Sequence, residues 1–329
     1  MPSIGSKPAL ANEQGANAVS DADSRYDDIA VLIPCLNEGS TIGKVVRDFR
    51  AALKGARVLV FDNNSSDDTA VVAQENGAQV IHAYRRGKGN VIRQMFEQVD
   101  AGIYLIVDGD DTYPALAAQQ LVAEFRKGGV DVLVGARVAP EGSAAYRRFH
   151  RFGNRLIATL ISKLFSVRVS DVLSGYRLIS REFAKSVPLA SKGFEIETEI
   201  TLQAATKDFV LREVPIAYGA RPEGSTSKLN TYSDGFLVLK AVFIIFKDYK
   251  PLMFFTGLSV LLSLLTVAAG LRPIRDFLAT GLVHHLPSAV LATGTGILAA
   301  LSLCIGLILD TLSRYHNENF QLLRRLVKK

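Results

Sequence analysis

Two stretches of this chain carry no charged side chain for about 20 residues each, and they constrain its fold more than any other feature. "LMFFTGLSVLLSLLTVAAG" begins at Leu252 and ends at Gly270, and "SAVLATGTGILAALSLCIGLIL" runs from Ser288 to Leu309. At about 1.5 Å per residue, each matches a hydrocarbon layer ~30 Å thick. The segment between them, Leu271 to Pro287, is short, so the pair reads as a membrane hairpin. The alternative is two buried helices of a large soluble domain. Lys247 and Lys250 precede the hairpin, and Arg314, Arg324, Arg325, Lys328 and Lys329 follow it, whereas the connection has only Arg272 and Arg275. That asymmetry predicts an integral membrane protein with both flanks, and the large N-terminal part, in the cytoplasm.

The high apolar content, 48%, is concentrated in this hairpin. A net charge of +6 suits a protein pressed against anionic lipid. It would also suit nucleic-acid binding, but no recognition-helix or RNA-binding signature accompanies it, so no nucleic-acid partner is expected. With only Cys35 and Cys304, the chain has no disulfide framework and no Cys-x-x-Cys metal site. The polar, Ala/Ser/Asn-rich start lacks the apolar core of a signal peptide, and residues 1–27 read as a disordered tail.

From Ile29 onward, strands and helices alternate. "IAVLIP", "ARVLVFD", "AQVIHA", "IYLIVD" and "VDVLVGA" read as strands, separated by helical segments such as "GKGNVIRQMFEQV". The expected fold is α/β, a doubly wound and mostly parallel sheet followed by interfacial helices and the two-helix hairpin. Ligands of such sheets bind outside the carboxyl ends of the strands. Asn37, Asp62 and Asp108 to Asp111 fall at or just past strand ends, and so converge on one rim. Further on, "AAYRRFHRFGNRLIATLISKLF" is a basic amphipathic helix suited either to a lipid surface or to packing on the sheet. "FLVLKAVFIIF" is too short to span a bilayer and reads as an interfacial helix within residues 231–250. The hairpin then occupies residues 251–310 and a basic tail residues 311–329.

"VDGDDTYP" raises the chemical question. Asp108, Asp110 and Asp111 repel one another, and nothing cationic stands beside them in sequence. Carboxylates after a buried strand suit a hard divalent cation, Mg²⁺ or Mn²⁺, which leaves places for phosphate oxygens. Such an ion on a diphosphate would stabilise a departing nucleotide.

Several segments, taken in order, resemble the GT-A glycosyltransferases of family 2: "VLIPCLNEGSTI", "VFDNNSSDDTA" and "VDGDDTYP". "RRGKGNVIRQMF", "VGARV", "SDVLSGYRLISREF", "FEIETEI" and "YGARPEGSTSKL" resemble the polyprenyl-phosphate glycosyltransferases within that family. The resemblance covers about Ile29 to Leu239 and implies a GT-A catalytic domain over residues 28–230. It implies a nucleotide-sugar site lined by Pro34, Asn37, Glu38, Asp62, Lys88, Asp108, Gly109 and Asp110, with Asp108 and Asp110 on the metal. Asn63 and Asn64 depart from the acid and glycine of the family pattern, which leaves uridine against guanosine open. For a polyprenyl-phosphate acceptor the candidate residues are Arg137, Arg147, Arg151, Arg221, Ser225 and Lys228, and the candidate catalytic set is Asp110, Asp171, Arg221 and Lys228, Asp171 matching a carboxylate the family places on the acceptor side. Asp171 would orient Arg177 or the acceptor, serve as a nominal base, or simply cap a helix.

The acceptor chemistry is the reason for the cations in this set. A phosphate monoester is largely dianionic at neutral pH and attacks a sugar without a strong base, so the site needs cations above all. A processive polysaccharide synthase would bring a Gln-x-x-Arg-Trp motif, and this chain has no tryptophan. A dinucleotide oxidoreductase would bring Gly-x-Gly-x-x-Gly after the first strand, and "IPCLNEGS" has none. A catalytically inactive nucleotide-binding scaffold, or a glycosyltransferase with another acceptor, is the remaining alternative. The expected reaction is an inverting transfer of one hexose from a UDP- or GDP-sugar to polyprenyl phosphate, supplying cell-envelope glycan or glycoprotein assembly. "GTG" at Gly294 to Gly296 allows close helix contact and with it a homo-oligomer, though it lacks the full Gly-x-x-x-Gly spacing.

Overall fold

The computed structural model describes residues 25–138, 146–165, 167–193, 195–219, 243–244 and 246–327. The expected alternation is present: β1 (Ile29–Cys35), α1 (Gly39–Ala52), β2 (Arg57–Asp62), α2 (Thr69–Glu75), β3 (Gln79–His82), α3 (Lys88–Gln98) and β4 (Ile103–Ile106). Then follow α4 (Ala117–Arg126), β5 (Val132–Val138), α5 (Tyr146–Phe165), β6 (Arg177–Ser180), α6 (Arg181–Ser186), α7 (Ile196–Thr206) and β7 (Leu211–Ala217). The seven strands form one sheet in the order β3-β2-β1-β4-β6-β5-β7. β1 and β4 are buried almost without interruption, as strands covered on both faces must be.

Strand direction places the site. β1, β2, β3 and β4 run parallel, with Val31 opposite Val58 and Leu105. β6 runs antiparallel to both β4 and β5, and β5 is parallel to β7. The carboxyl ends of the other six strands therefore open on one edge, and β6 begins there. This single reversal carries the loop before Arg177 onto the rim where the first four strands end. Pro34 is tolerated in a central strand because the pairing with β4 stops at Leu32; beyond that point a missing N–H leaves no ladder bond unmade.

The chain divides into two compact units, residues 1–147 with 167–228, and residues 148–166 with 229–329. Most of α5 thus groups with the C-terminal helices. Within the second unit, α8 (Pro251–Thr280) and α9 (Leu286–Val327) form the hairpin. Both helices outrun the uncharged segments that predicted them. Leu271, Ile274, Phe277 and Leu278 continue helical spacing past Gly270, and Gly281, at φ 71°, supplies the stop. The connection shrinks to the few residues between Thr280 and Leu286, and most of the expected separate tail continues α9.

Small and hydroxylated residues join the two helices. Ser259 Oγ donates to the Ala299 carbonyl, Ser302 Oγ to that of Phe255, and Thr266 Oγ1 to Thr295 Oγ1, at 2.8, 3.1 and 2.9 Å. A side chain at Gly306 would come within 2.8 Å of Phe255 Cβ. The most apolar 18 residues of α8 include none that is buried. These are not the core helices of a soluble domain, because their apolar surface faces outward.

Candidate active site

The rim is built from turns that only short polar side chains accommodate. Asn37, Asn64 and Asp111 all have positive φ, at 54°, 62° and 57°. Asn37 Oδ1 accepts from Ser66 N at 2.8 Å, and its own N–H donates to Ser65 Oγ at 2.9 Å. Glu38 N donates to Thr69 Oγ1 and Gly39 N to Asp67 Oδ2. The turns after β1 and β2 are thereby stitched together. Asp62 is buried at the end of β2, where Oδ1 accepts from Ser65 N at 3.2 Å and Oδ2 lies 3.4 Å from His82 Nδ1.

The asparagines that break the family pattern have a structural task. Buried Asn63 donates Nδ2 to the carbonyls of Ala83 and Arg85 and accepts from Gly87 N at 2.8 Å. Asn64 Nδ2 donates to the Ala83 carbonyl as well, at 3.1 Å. Both hold the loop between β3 and α3, and that loop presents Lys88.

The acidic loop is neutralised by two lysines remote in sequence. Lys88 Nζ lies 2.6 Å from Asp108 Oδ1 and 2.5 Å from Glu197 Oε1. Lys44 Nζ lies 2.8 Å from Asp111 Oδ1 and also pairs with Asp48. Burial disfavours the Lys88 ammonium, but the charges and hydrogen bonds of Asp108 and Glu197 outweigh it and hold its pKa above the usual lysine value. The middle carboxylate is held otherwise: Asp110 is buried, and Oδ1 accepts from Thr112 Oγ1 at 2.5 Å and Thr112 N at 3.3 Å. Gly109 is needed for packing, since a Cβ there would lie 2.7 Å from Cys35 Sγ, and its carbonyl accepts from Thr41 Oγ1.

The glycines flanking Lys88 explain how it is aimed. A Cβ on either Gly87 or Gly89 would approach a backbone carbonyl oxygen, of Lys192 or Ser191 respectively, to 2.2 Å. Segment 190–193 thus lies flush against the start of α3. Glu199 fixes that segment by accepting from Ala190 N and Ser191 N at 2.8 and 2.7 Å. The alternating acids Glu195, Glu197 and Glu199 suit either a solvated face or a site-facing group in sequence, and in the structure Glu195 alone is exposed. Glu197 and Glu199 are buried, because each has cationic or N–H partners that only the fold supplies.

At the end of β5, Arg137 Nε and Nη2 meet Asp171 Oδ2 and Oδ1 at 2.7 and 2.8 Å, and Arg137 N–H adds a third bond. No helix begins at Asp171, which excludes the capping role. Burial alone would raise the Asp171 pKa, but the hydrogen bonds and charge of Arg137 override it and leave it below the ordinary aspartate value. A carboxylate so held is a weak proton acceptor and a firm positioning group. Nor does it hold Arg177 by hydrogen bond: that buried guanidinium donates to the carbonyls of Ser174 and Val172 and to Thr201 Oγ1. Arg177 instead shapes the loop that brings Gly175 against Asp108, where a Cβ would lie 2.4 Å from Oδ2. Arg137 also stacks over Tyr218, 5.4 Å from the ring centroid, and Tyr218 packs edge-on against Tyr113.

Side chains of Arg147 and Arg151 on α5, and all of Arg221, Ser225 and Lys228, lie outside the described residues. Gly219, at the end of the described segment after β7, donates its N–H to the Thr112 carbonyl. A groove of about 290 Å³ beside the acidic loop is lined by Lys44, Asp48, Phe49, Asp111, Tyr113 and Tyr218, among others. Reading the sequence missed Lys44, Tyr113 and Tyr218. Tyr113 and Tyr218 stand inside "VDGDDTYP" and "YGARPEGSTSKL", where the acidic and basic residues drew the reading, and Lys44 stands in no motif; only the fold brings the three together beside the acidic loop.

A divalent ion finds a partial donor set here. Among the described residues, no three His, Cys, Asp or Glu side chains gather into a site that could hold a metal. Mg²⁺ and Mn²⁺ characteristically take one or two carboxylates and complete their shell with water and phosphate. That the ammonium of Lys88 already sits on Asp108 shows that this position accepts a cation. The residues present fit an ion brought in with a diphosphate.

Comparison with known proteins gives this fold and rim a family. Residues 30–187 match glycosyl transferase family 2. The chain is 30% identical over 303 residues to Glycosyltransferase AglJ of Haloferax volcanii, spanning 91% of this chain and 98% of that protein. It is 28% identical over 217 residues to a dolichyl-phosphate hexose transferase of the same organism, spanning 66% of this chain and 93% of the relative. Glucosyl-3-phosphoglycerate synthase from Mycobacterium tuberculosis, solved with Mn²⁺ and UDP-glucose, superposes with a TM-score of 0.55 at 22% identity. That match covers 74% of this chain and 84% of the other and speaks for the fold. The chain belongs to glycosyl transferase family 2. It has the GT-A fold and is a glycosyltransferase.

Proposed function

We propose that the protein transfers a single hexose, with inversion, from a UDP- or GDP-sugar to polyprenyl phosphate at the cytoplasmic face of a membrane. The observation that carries this reading is the pairing, in one chain, of a GT-A rim with two outward-facing apolar helices long enough to cross a bilayer. The likeness to a dolichyl-phosphate hexose transferase over nearly all of that relative's length supports the lipid acceptor.

In this reading, Asn37, Glu38 and Asp62 receive the nucleoside and Lys88 meets the diphosphate. Asp108 and Asp110 would hold the divalent metal, which when bound neutralises the departing diphosphate. The acceptor phosphate needs no deprotonation, being largely dianionic at neutral pH. The task left to the chain is to hold two anions in line. Arg137 serves this, its charge fixed in direction by Asp171 and its plane by Tyr218. Arg221, Ser225 and Lys228, with Arg147 and Arg151, would supply the remaining contacts to the lipid phosphate. Asp171 then acts by positioning Arg137 and takes no proton.

The test is transfer of radiolabelled sugar to undecaprenyl or dolichyl phosphate by the purified protein, across a panel of UDP- and GDP-sugars with Mg²⁺, Mn²⁺ or chelator. A lipid-soluble product that requires metal is expected. Nucleotide binding with no product from any donor would overturn the acceptor assignment. Asp110→Asn should abolish turnover in an enzyme, whereas a scaffold would keep its binding partner.

A further inference from the structure

The chemistry of Asp108 extends beyond donor binding. One oxygen is held by Lys88 at 2.6 Å, and the other faces the backbone of Gly175 so closely that no Cβ fits between them. Lys88 is itself anchored by Glu197, whose side chain is only 5% exposed, against 12% for Lys88. A divalent ion approaching Asp108 therefore meets an ammonium already seated on it, and two cations cannot share that oxygen in a partly desolvated site.

We infer that Lys88, anchored by Glu197, is the resting counter-ion of Asp108, and that a divalent cation gains Asp108 only when a nucleotide diphosphate draws the ammonium away. The inference rests on the nucleotide-sugar reading above. Glu197 is a positioning residue: it keeps hold of Lys88 while Asp108 is released, so the shift is one of hydrogen bonds within a fixed side-chain cluster. The diphosphate offers Lys88 an anion to replace Asp108, and the metal replaces Lys88 on Asp108. Metal and nucleotide binding are then coupled, each tightening the other by the same factor. The arrangement also answers how three neighbouring carboxylates survive without metal: each is already provided for, Asp108 by Lys88, Asp110 by Thr112 and Asp111 by Lys44.

The experiment is titration of Mn²⁺ into the full chain in detergent micelles, with the free ion read by electron paramagnetic resonance, alone and with UDP or GDP. Weak binding alone and a tightening of ~5- to 150-fold with the preferred nucleotide are expected. In Lys88→Gln/Glu197→Gln, Mn²⁺ should bind more tightly without nucleotide, and the enhancement should fall toward one. Lys44→Gln removes a similar charge from the same loop without touching Asp108, and should leave the enhancement intact. Equal Mn²⁺ affinity of the unaltered protein with and without a nucleotide that binds would overturn the inference, with no variant needed. So would a double variant whose nucleotide-free affinity is no tighter than that of Lys44→Gln. Absence of any nucleotide binding by calorimetry, with or without Mn²⁺, would instead remove the donor-site reading and this inference with it.

Discussion

Two lysine–aspartate pairs stand on the same acidic loop, and they differ in almost everything except chemistry. Lys44–Asp111 and Lys88–Asp108 are each within 2.8 Å, yet the Lys44 side chain is 56% exposed and that of Lys88 12%. Water screens the first pair and competes for both partners, so its contribution is small. The second has given up most of its hydration and depends on both carboxylates, so removing one member leaves an uncompensated charge. Equal geometry in the two pairs thus conceals unequal consequences, and exposure decides which matters.

The comparison can be broken from either side. Lys88→Met should be the most damaging change, costing about 3–5 kcal/mol in stability as Glu197 and Asp108 lose their cation. Thermal melts would register it, alongside a loss of sugar transfer. Next comes Gly175→Ala, which forces a Cβ onto Asp108 Oδ2. It should disturb Asp108 without altering charge, lowering transfer and weakening Mn²⁺ binding while nucleotide binding without metal persists. Unchanged Mn²⁺ affinity would show that Asp108 moves aside freely.

Acidity probes the third charged pair. Asp171 has its folded pKa depressed by Arg137. Its stabilisation is therefore fully present above the unfolded value, near 3.9, and is lost as pH falls through the lower folded value. Melts from about pH 6 down to 3 should show that loss, and Asp171→Asn should remove this part of the slope. Lys88 works in the opposite sense. Its raised pKa means its contribution is complete below about pH 10.4 and fades only as pH climbs through the higher folded value. No alkaline decline in transfer below pH 10 should trace to Lys88. The smallest effect is expected of Lys44→Gln, at about 0.2–1 kcal/mol. A larger loss would mean that the groove beside Asp111 contributes more than the exposure of Lys44 allows.

Much of the scaffold is legible in sequence, for a local reason. Apolar runs such as "IAVLIP" and "IYLIVD" are complete signals in themselves, and so are the uncharged stretches of α8 and α9. The limits of the latter were not legible. Charge marks where the uncharged run stops, whereas helical spacing and the Gly281 cap mark where the helix ends. The convergence of Asn37, Asp62 and Asp108 on one rim could also be read, because they sit at the ends of parallel strands. Glu197 and Glu199 were ambiguous, since alternating acids look alike whether solvated or paired.

By itself the sequence determined the α/β alternation, the two apolar helices and the carboxylates at the end of β4. Periodicity and charge within short windows are enough for these. Tertiary structure alone decided that β6 enters the sheet reversed, and so brought Asp171, Gly175 and Arg177 to the rim. It also selected Lys88 and Lys44, 20 and 67 residues from their aspartates, as the cations of the acidic loop. The reason is physical: a charge is satisfied by whatever lies within a few ångströms in space, and chain order says little about that once a sheet has folded.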